Sequence, residues 1–74
     1  MPRIVNTLRI YNRIQELRLA HNLTQQELAD AIDITRATVI ALEKGNYNPS
    51  LELAFRLANY FKTNINKLFF ESEK

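Results

Sequence analysis

The sequence contains no cysteine and a single histidine, and these two shortages exclude several kinds of site. Disulfide bridges and thiolate metal ligands need cysteine, and one imidazole, that of His21, cannot hold a zinc ion alone. No apolar run approaches the ~20 residues that a membrane-spanning helix needs, and residues 1–6 lack the apolar segment of a signal peptide. We therefore expect a cytoplasmic protein without metal or other cofactor and without a membrane partner.

An excess of charge of one sign is also missing. The 74 residues carry 10 Lys and Arg against 8 Asp and Glu, a formal net charge of +2. So small an excess does not identify a nucleic-acid partner, and the positions of the charges must do so. We expect one domain over residues 1–74. Its core spans about residues 12–70, and residues 1–8 and 71–74 form flexible ends or short strands.

Helical spacing and capping residues predict five helices and hence an all-α fold. The first begins at Arg13, where apolar residues start to recur at helical intervals. Glu27 completes a capping box for the second, and Gly45, the only glycine, ends the third, over residues 36–44. The fifth holds Ile65, Leu68 and Phe69. The predicted N-caps of the second to fifth helices are Thr24, Thr35, Ser50 and Asn64.

Residues 25–42 have the pattern of two helices joined by a tight turn. Ala29 is small at the point where the two helices must approach closely. Asp33 lies where the chain reverses, a position that often needs a positive φ, and Asp tolerates this better than most residues. The pattern is typical of a second helix held out from the body so that its outer face can enter a major groove.

Four segments, at the spacing in which they occur here, resemble the lambda-repressor/Cro/Xre family of helix-turn-helix proteins. They are residues 23–29 (LTQQELA), 35–39 (TRATV), 42–45 (LEKG) and 48–51 (NPSL). The resemblance covers about residues 13–70 and is closest to small stand-alone members that pair as homodimers. It implies a compact five-helix domain, with residues 8–12 and 69–71 able to pair as short strands. Residues 1–11 alone leave that strand an open question.

The resemblance also implies which residues contact DNA. The base contacts are Arg36, Ala37, Thr38, Ile40 and Ala41. The phosphate contacts are Gln25, Thr35, Lys44, Asn46 and Asn48. Arg36 can fork to guanine O6 and N7, and Ala37 and Ala41 can pack on thymine methyl groups. Ile40 replaces a residue that is usually polar in the family, and it can touch a thymine methyl or a sugar.

Several positions depart from the family pattern or carry charge whose role is open. Asn22, Asp33 and Lys62 stand where relatives often carry glycine. Ala41 replaces a common polar base reader, which leaves less hydrogen-bond readout. The arginines at 9, 13 and 18 are expected to form a solvated face, with Arg18 adding positive potential on the DNA side.

Aromatic residues concentrate late in the chain, with more apolar surface than two short helices can bury. Exposed apolar patches usually mark an interface. We therefore predict a twofold homodimer whose interface includes Tyr60, Phe69 and Phe70. Its recognition helices would lie about 34 Å apart, which requires a palindromic operator.

Together these features predict a transcriptional regulator that binds double-stranded DNA, most simply a repressor. Activation, or autoregulation of the antitoxin type, would use the same residues. A second class of function is a protein-interaction module that kept the fold and lost specific DNA binding, which the apolar face at 37, 40 and 41 favours. We expect no catalysis, since the chain has no nucleophile–base pair, metal cluster or phosphate-binding glycine loop. No small-molecule domain is evident.

Overall fold

A computed structural model of the chain describes residues 9–72, which form five helices and a two-stranded sheet. The elements are β1 (Arg9–Asn12), α1 (Ile14–Ala20), α2 (Gln25–Ile32), α3 (Arg36–Lys44), α4 (Leu51–Tyr60), α5 (Ile65–Leu68) and β2 (Phe69–Ser72). The predicted five-helix fold with a short strand at each end is confirmed. Expectations for residues 1–8, 73 and 74 lie outside the described residues. Within the described range, no helix is long and apolar enough to cross a membrane.

Side-chain caps determine where α2, α3, α4 and α5 begin. In each case an oxygen of the N-cap side chain accepts the backbone N–H three residues later, and these N-caps are Thr24, Thr35, Ser50 and Asn64. At α2 the cap is reciprocal. The backbone N–H of Thr24 donates to Glu27 Oε1 at 2.8 Å, so the predicted capping box is confirmed. Each cap satisfies a donor that the helix leaves without an internal partner.

Four residues between the helices have the left-handed backbone conformation. Gly45 has φ +78°, as expected of a helix C-terminal glycine. Asn22, Asp33 and Lys62 have φ values of 58°, 65° and 58°. The positive φ predicted for Asp33 is thus confirmed, and the loop after α2 turns there. Lys62 is the strained member of the set, because a long side chain has no local hydrogen bond that favours this region.

The core lies between the helices and buries one face of each. Its members are Ile14, Leu28, Ala29, Ile32, Val39, Leu42, Leu53, Leu57, Ala58, Phe61 and Leu68. Ala29 is fully buried, in keeping with its predicted role at the close approach of α2 and α3. Val39 and Leu42 anchor α3 from behind, so the opposite side of that helix is left facing outward.

The two strands pair antiparallel, with Asn12 opposite Phe69 and Tyr11 opposite Phe70. The prediction that Phe69 belongs to the fifth helix is wrong, since α5 ends at Leu68. From Phe69 onward the backbone hydrogen-bonds to β1 instead of continuing the helix, and the Phe69 side chain packs against the core. Glu71 also belongs to the strand.

Replacing Lys62 with glycine should relieve the backbone strain. We expect the Lys62→Gly variant to gain about 0.5–1 kcal/mol in free energy of unfolding, because the relieved strain exceeds the entropic cost of glycine. The measurement is urea denaturation followed by circular dichroism. Lys62→Ala, which removes the same charge but keeps the strain, is the control and should show no gain. Equal or lower stability of the glycine variant would contradict the assignment of strain.

Candidate nucleic-acid interface

Helix α3 presents an outward face that the core leaves uncovered. At about 100° per residue, Ala37, Ile40, Ala41 and Lys44 lie on the side opposite the buried Val39 and Leu42. Ala37 and Lys44 are exposed, whereas Ile40 and Ala41 at the flanks of the face are half-buried. Arg36, in the first turn, is also exposed. Of the predicted base-contacting residues, Arg36 and Thr38 lie toward the two opposite edges of this face.

The start of α3 is organised by two threonines. Thr35 Oγ1 accepts the backbone N–H of Thr38 at 3.1 Å, and the two hydroxyl oxygens lie 2.9 Å apart. Helix geometry leaves the N–H groups of the first turn without partners inside the helix, and such groups favour a negatively charged ligand. Thr35 is therefore well placed for the predicted phosphate contact, but the hydroxyl of Thr38 is already engaged within the cap.

The end of α3 carries a group of polar side chains on a tight turn. The backbone N–H groups of Gly45 and Asn46 donate to Leu42 O at 3.0 Å and to Ala41 O at 2.9 Å, which turns the chain sharply. Lys44, Asn46 and Asn48 are exposed around this turn. Within residues 9–72, no hydrogen bond or ion pair engages their side chains. A cleft between this turn and residues 10–12 of β1 is lined by the same three side chains.

A buried ion pair joins α1 to the inner side of α3. Arg18 Nε, on α1, donates to Glu43 Oε2 at 2.5 Å and Nη2 to Oε1 at 3.3 Å. The side chains of Arg18 and Glu43 are only 9% and 4% exposed. The Nη1 of Arg18 also donates to Leu23 O at 2.7 Å. The expectation that Arg18 is solvated and adds positive potential is therefore wrong, because Glu43 neutralises its charge inside the protein.

Gln25 joins the same network at the start of α2. Its Nε2 donates to Glu43 Oε1 at 3.1 Å. Contact between Gln25 and α3 is thus present in the structure, whereas its phosphate contact stays a prediction. The amide has two N–H donors, so one remains for a ligand. With its charge balanced, Glu43 does not repel phosphates from the outer face of α3.

Two further side chains support the helices and were missed from the sequence. Asn12 Nδ2 donates to Leu42 O at 2.9 Å while its Oδ1 accepts the Ile14 N–H at 3.0 Å, which ties β1 to the end of α3. Arg56 Nη2 donates to Ile32 O and so ties α4 to the end of α2. For Arg18, the one sequence signal of burial was its position on the same helical face as Ile14 and Leu17. Nothing in the sequence pattern indicated Asn12 or Arg56.

The three predicted interface aromatics have different surroundings. Phe69 is half-buried against the core. Tyr60 is exposed with its ring edge-on to Phe61 at 5.2 Å, and Phe70 is exposed and stacked on Tyr11 at 5.7 Å.

The most exposed apolar residues of α4 were not among the predicted interface residues. Leu51 and Phe55 are 70% and 51% exposed, one turn apart. Leu51 lines an apolar groove with Ile10, Pro49, Ile65 and Phe69. The spacing of Leu51 and Phe55 was the signal that could have identified them.

Known proteins share both the sequence pattern and the fold. A helix-turn-helix family model matches residues 14–68. An uncharacterised HTH-type transcriptional regulator of Methanocaldococcus jannaschii, MJ0272, is 47% identical over 58 residues, which are 78% of this chain and 88% of that protein. The cryptic phage CTXphi transcriptional repressor RstR of Vibrio cholerae is 36% identical over 62 residues, 84% of this chain and 56% of RstR. The crystal structure of the transcriptional regulator VanUg matches with a TM-score of 0.77 over 100% of this chain and 99% of that chain, at 20% identity, and supports the fold.

The buried pair of Arg18 and Glu43 should contribute more to the free energy of unfolding than a surface ion pair does. We expect Arg18→Met, which keeps the apolar stem and leaves the Glu43 carboxylate buried without its partner, to cost roughly 3–5 kcal/mol in free energy of unfolding. Arg13→Met is the matched control. Arg13 pairs with Glu16 at 3.8 Å on the surface, so its loss should cost less than about 1 kcal/mol. Thermal and urea unfolding measure both. Equal costs for the two variants would show that the buried pair has no special role.

Proposed function

Since the chain belongs to the helix-turn-helix family of transcriptional regulators, we propose that it is a repressor that binds a palindromic DNA operator as a homodimer, with α3 in the major groove. One observation carries the proposal: α3 has an uncovered outer face with polar groups at both of its ends. Repression is favoured by the similarity to RstR, which is named a repressor.

The dimensions of α3 suit this role. Its nine residues extend over about 13 Å, close to the ~12 Å width of the major groove. Polar groups at its two ends can therefore reach the two sugar–phosphate backbones that border the groove. At the start this group is Thr35, and at the end they are Lys44, Asn46 and Asn48, with Gln25 beside the last turn, where its amide donates to Glu43. The side chains of the outer face would then meet base edges, with Arg36 forking to a guanine.

We propose a homodimer because one copy has few positive charges with which to contact DNA. Each copy has a formal net charge of +2 and two exposed cations, Arg36 and Lys44, on the described surface of α3. Because phosphate contacts supply most non-specific affinity, a second copy is needed for tight binding. We propose that the copies meet through Leu51, Phe55 and the adjoining groove, together with Tyr60, Phe69 and Phe70. A twofold axis there would present two α3 helices to one face of the duplex.

Selection from a randomised duplex library, followed by salt titration of the enriched site, tests the proposal. We expect an enriched palindrome whose half-site centres are about one DNA turn apart, with an affinity that falls steeply as salt rises. Weak, equal binding to every duplex would overturn the proposal and favour the hypothesis of a protein-interaction module.

Repeating the selection with the Arg36→Ala variant should relax the preference for one guanine per half-site, whereas the Lys44→Ala variant should bind all duplexes more weakly to the same degree. Placing the site at a promoter in a transcription assay separates repression from activation.

The dimer surface can be tested without DNA. We expect Phe55→Asp to raise the dimer dissociation constant at least tenfold, because an unpaired carboxylate would be buried in the interface. Analytical ultracentrifugation over a concentration series measures it. Leu19→Asp is the matched control, since Leu19 is 57% exposed on α1 and outside the proposed surface. Identical sedimentation of the Phe55→Asp variant and the unmodified protein would remove α4 from the interface.

A further inference from the structure

The outward face of α3 has few groups that can form hydrogen bonds with base edges. Arg36 is exposed at its start, and Lys44 lies in its last turn beside the polar loop. The hydroxyl of Thr38, the one other polar group in the first two turns of α3, lies 2.9 Å from that of Thr35. Between Arg36 and Lys44 the face is formed by Ala37, Ile40 and Ala41, which carry no polar side-chain atom.

Ile40 is the largest of these apolar side chains, and its placement is well defined. It lies midway along α3, one turn from Arg36 and one turn from Lys44, so the three are neighbours on the helix surface. It is half-buried, so the protein body supports part of the side chain while the rest stays accessible. A β-branched residue in a helix has essentially one χ1 rotamer. The direction of the branches at the Ile40 Cβ is therefore well defined.

We propose that Ile40 is a specificity-determining residue that recognises the C5-methyl group of a thymine in the operator half-site. The inference rests on the proposed function, because it requires α3 to lie in the major groove. Thymine is the one standard base with a methyl group in that groove. Ile40 lies about 6 Å along the helix axis from Arg36, which corresponds to about two base-pair steps. The contacted thymine therefore lies within about two base pairs of the guanine that Arg36 contacts.

The same contact selects against the other bases. A cytosine at this position carries a hydrogen in place of the methyl group at C5, so the contact with Ile40 would be lost. A purine would turn its polar N7 edge toward an apolar side chain and lose hydrogen bonds to water. Ala37 and Ala41 flank Ile40 with methyl groups and offer no alternative polar partner. The half-site is thus read by one hydrogen-bonding side chain and by apolar contacts, in place of a row of hydrogen bonds.

A double-mutant cycle between protein and DNA tests the contact. Each thymine of the enriched operator is replaced in turn by deoxyuridine, which removes only the methyl group, and the dissociation constant is measured by fluorescence anisotropy. For the unmodified protein we expect one thymine per half-site whose replacement weakens binding about fourfold, the factor for burying one methyl group. With Ile40→Ala, the thymine and deoxyuridine duplexes should bind equally.

Two further variants keep the test decisive. Ile40→Val keeps the β-branch with a smaller side chain, so it should fold if Ile40→Ala does not, and its thymine-to-deoxyuridine ratio should fall between one and four. Lys44→Ala should weaken both duplexes equally and keep the ratio of the unmodified protein. A penalty that persists at every thymine in both Ile40 variants, or no penalty at any thymine, would overturn the inference while leaving operator binding intact. Failure to enrich any operator would instead overturn the proposed function, and the inference with it.

Discussion

The ion pair between Arg18 and Glu43 is the interaction on which the placement of α3 depends. Two opposite charges with side chains less than 10% exposed are tolerated only when they are paired, since either one alone would be buried without a partner. The forked guanidinium meets the carboxylate at a defined angle, and the same Arg18 binds Leu23 O while the same Glu43 accepts from Gln25. One pair thus links α1, the entry to α2 and the last turn of α3. Because α3 has a core contact at Val39 as well, both its position and its rotation about its own axis are determined.

Local signals in the sequence predicted local features well. The N-caps, the capping box at Thr24 and the positive φ of Asp33 depend on residues within a few positions of one another, and the structure contains all of them. The spacing of apolar residues likewise predicted the face of α3 that points away from the core. These features could be predicted because a cap or a helical face is decided by neighbours in the chain.

The features that were not predicted depend on partners distant in the chain. Arg18 and Glu43 are 25 positions apart, and a helical pattern cannot show that a charged residue has a buried partner on another helix. Phe69 continues the apolar spacing of α5, but its backbone pairs with Asn12 at the other end of the described chain. The engagement of the Thr38 hydroxyl within the cap is local, yet it became visible only once the side-chain geometry was known.

Hydrogen bonds within the protein limit which side chains near the outer face of α3 are available to a ligand. Several hydrogen-bonding side chains near this face serve the fold: Glu43 and Gln25 belong to the buried network, and Thr38 belongs to the cap. The groups left for DNA are a few donors at the helix ends and an apolar middle that includes Ile40. Such a face gains little from long-range attraction, because the net charge of the chain is only +2. In the proposed dimer its affinity would come from two copies acting together, and its discrimination from the Arg36 contact with guanine and the fit of methyl groups. The occupancy of an operator would then depend steeply on protein concentration, since dissociation into monomers removes half of the contacts at once.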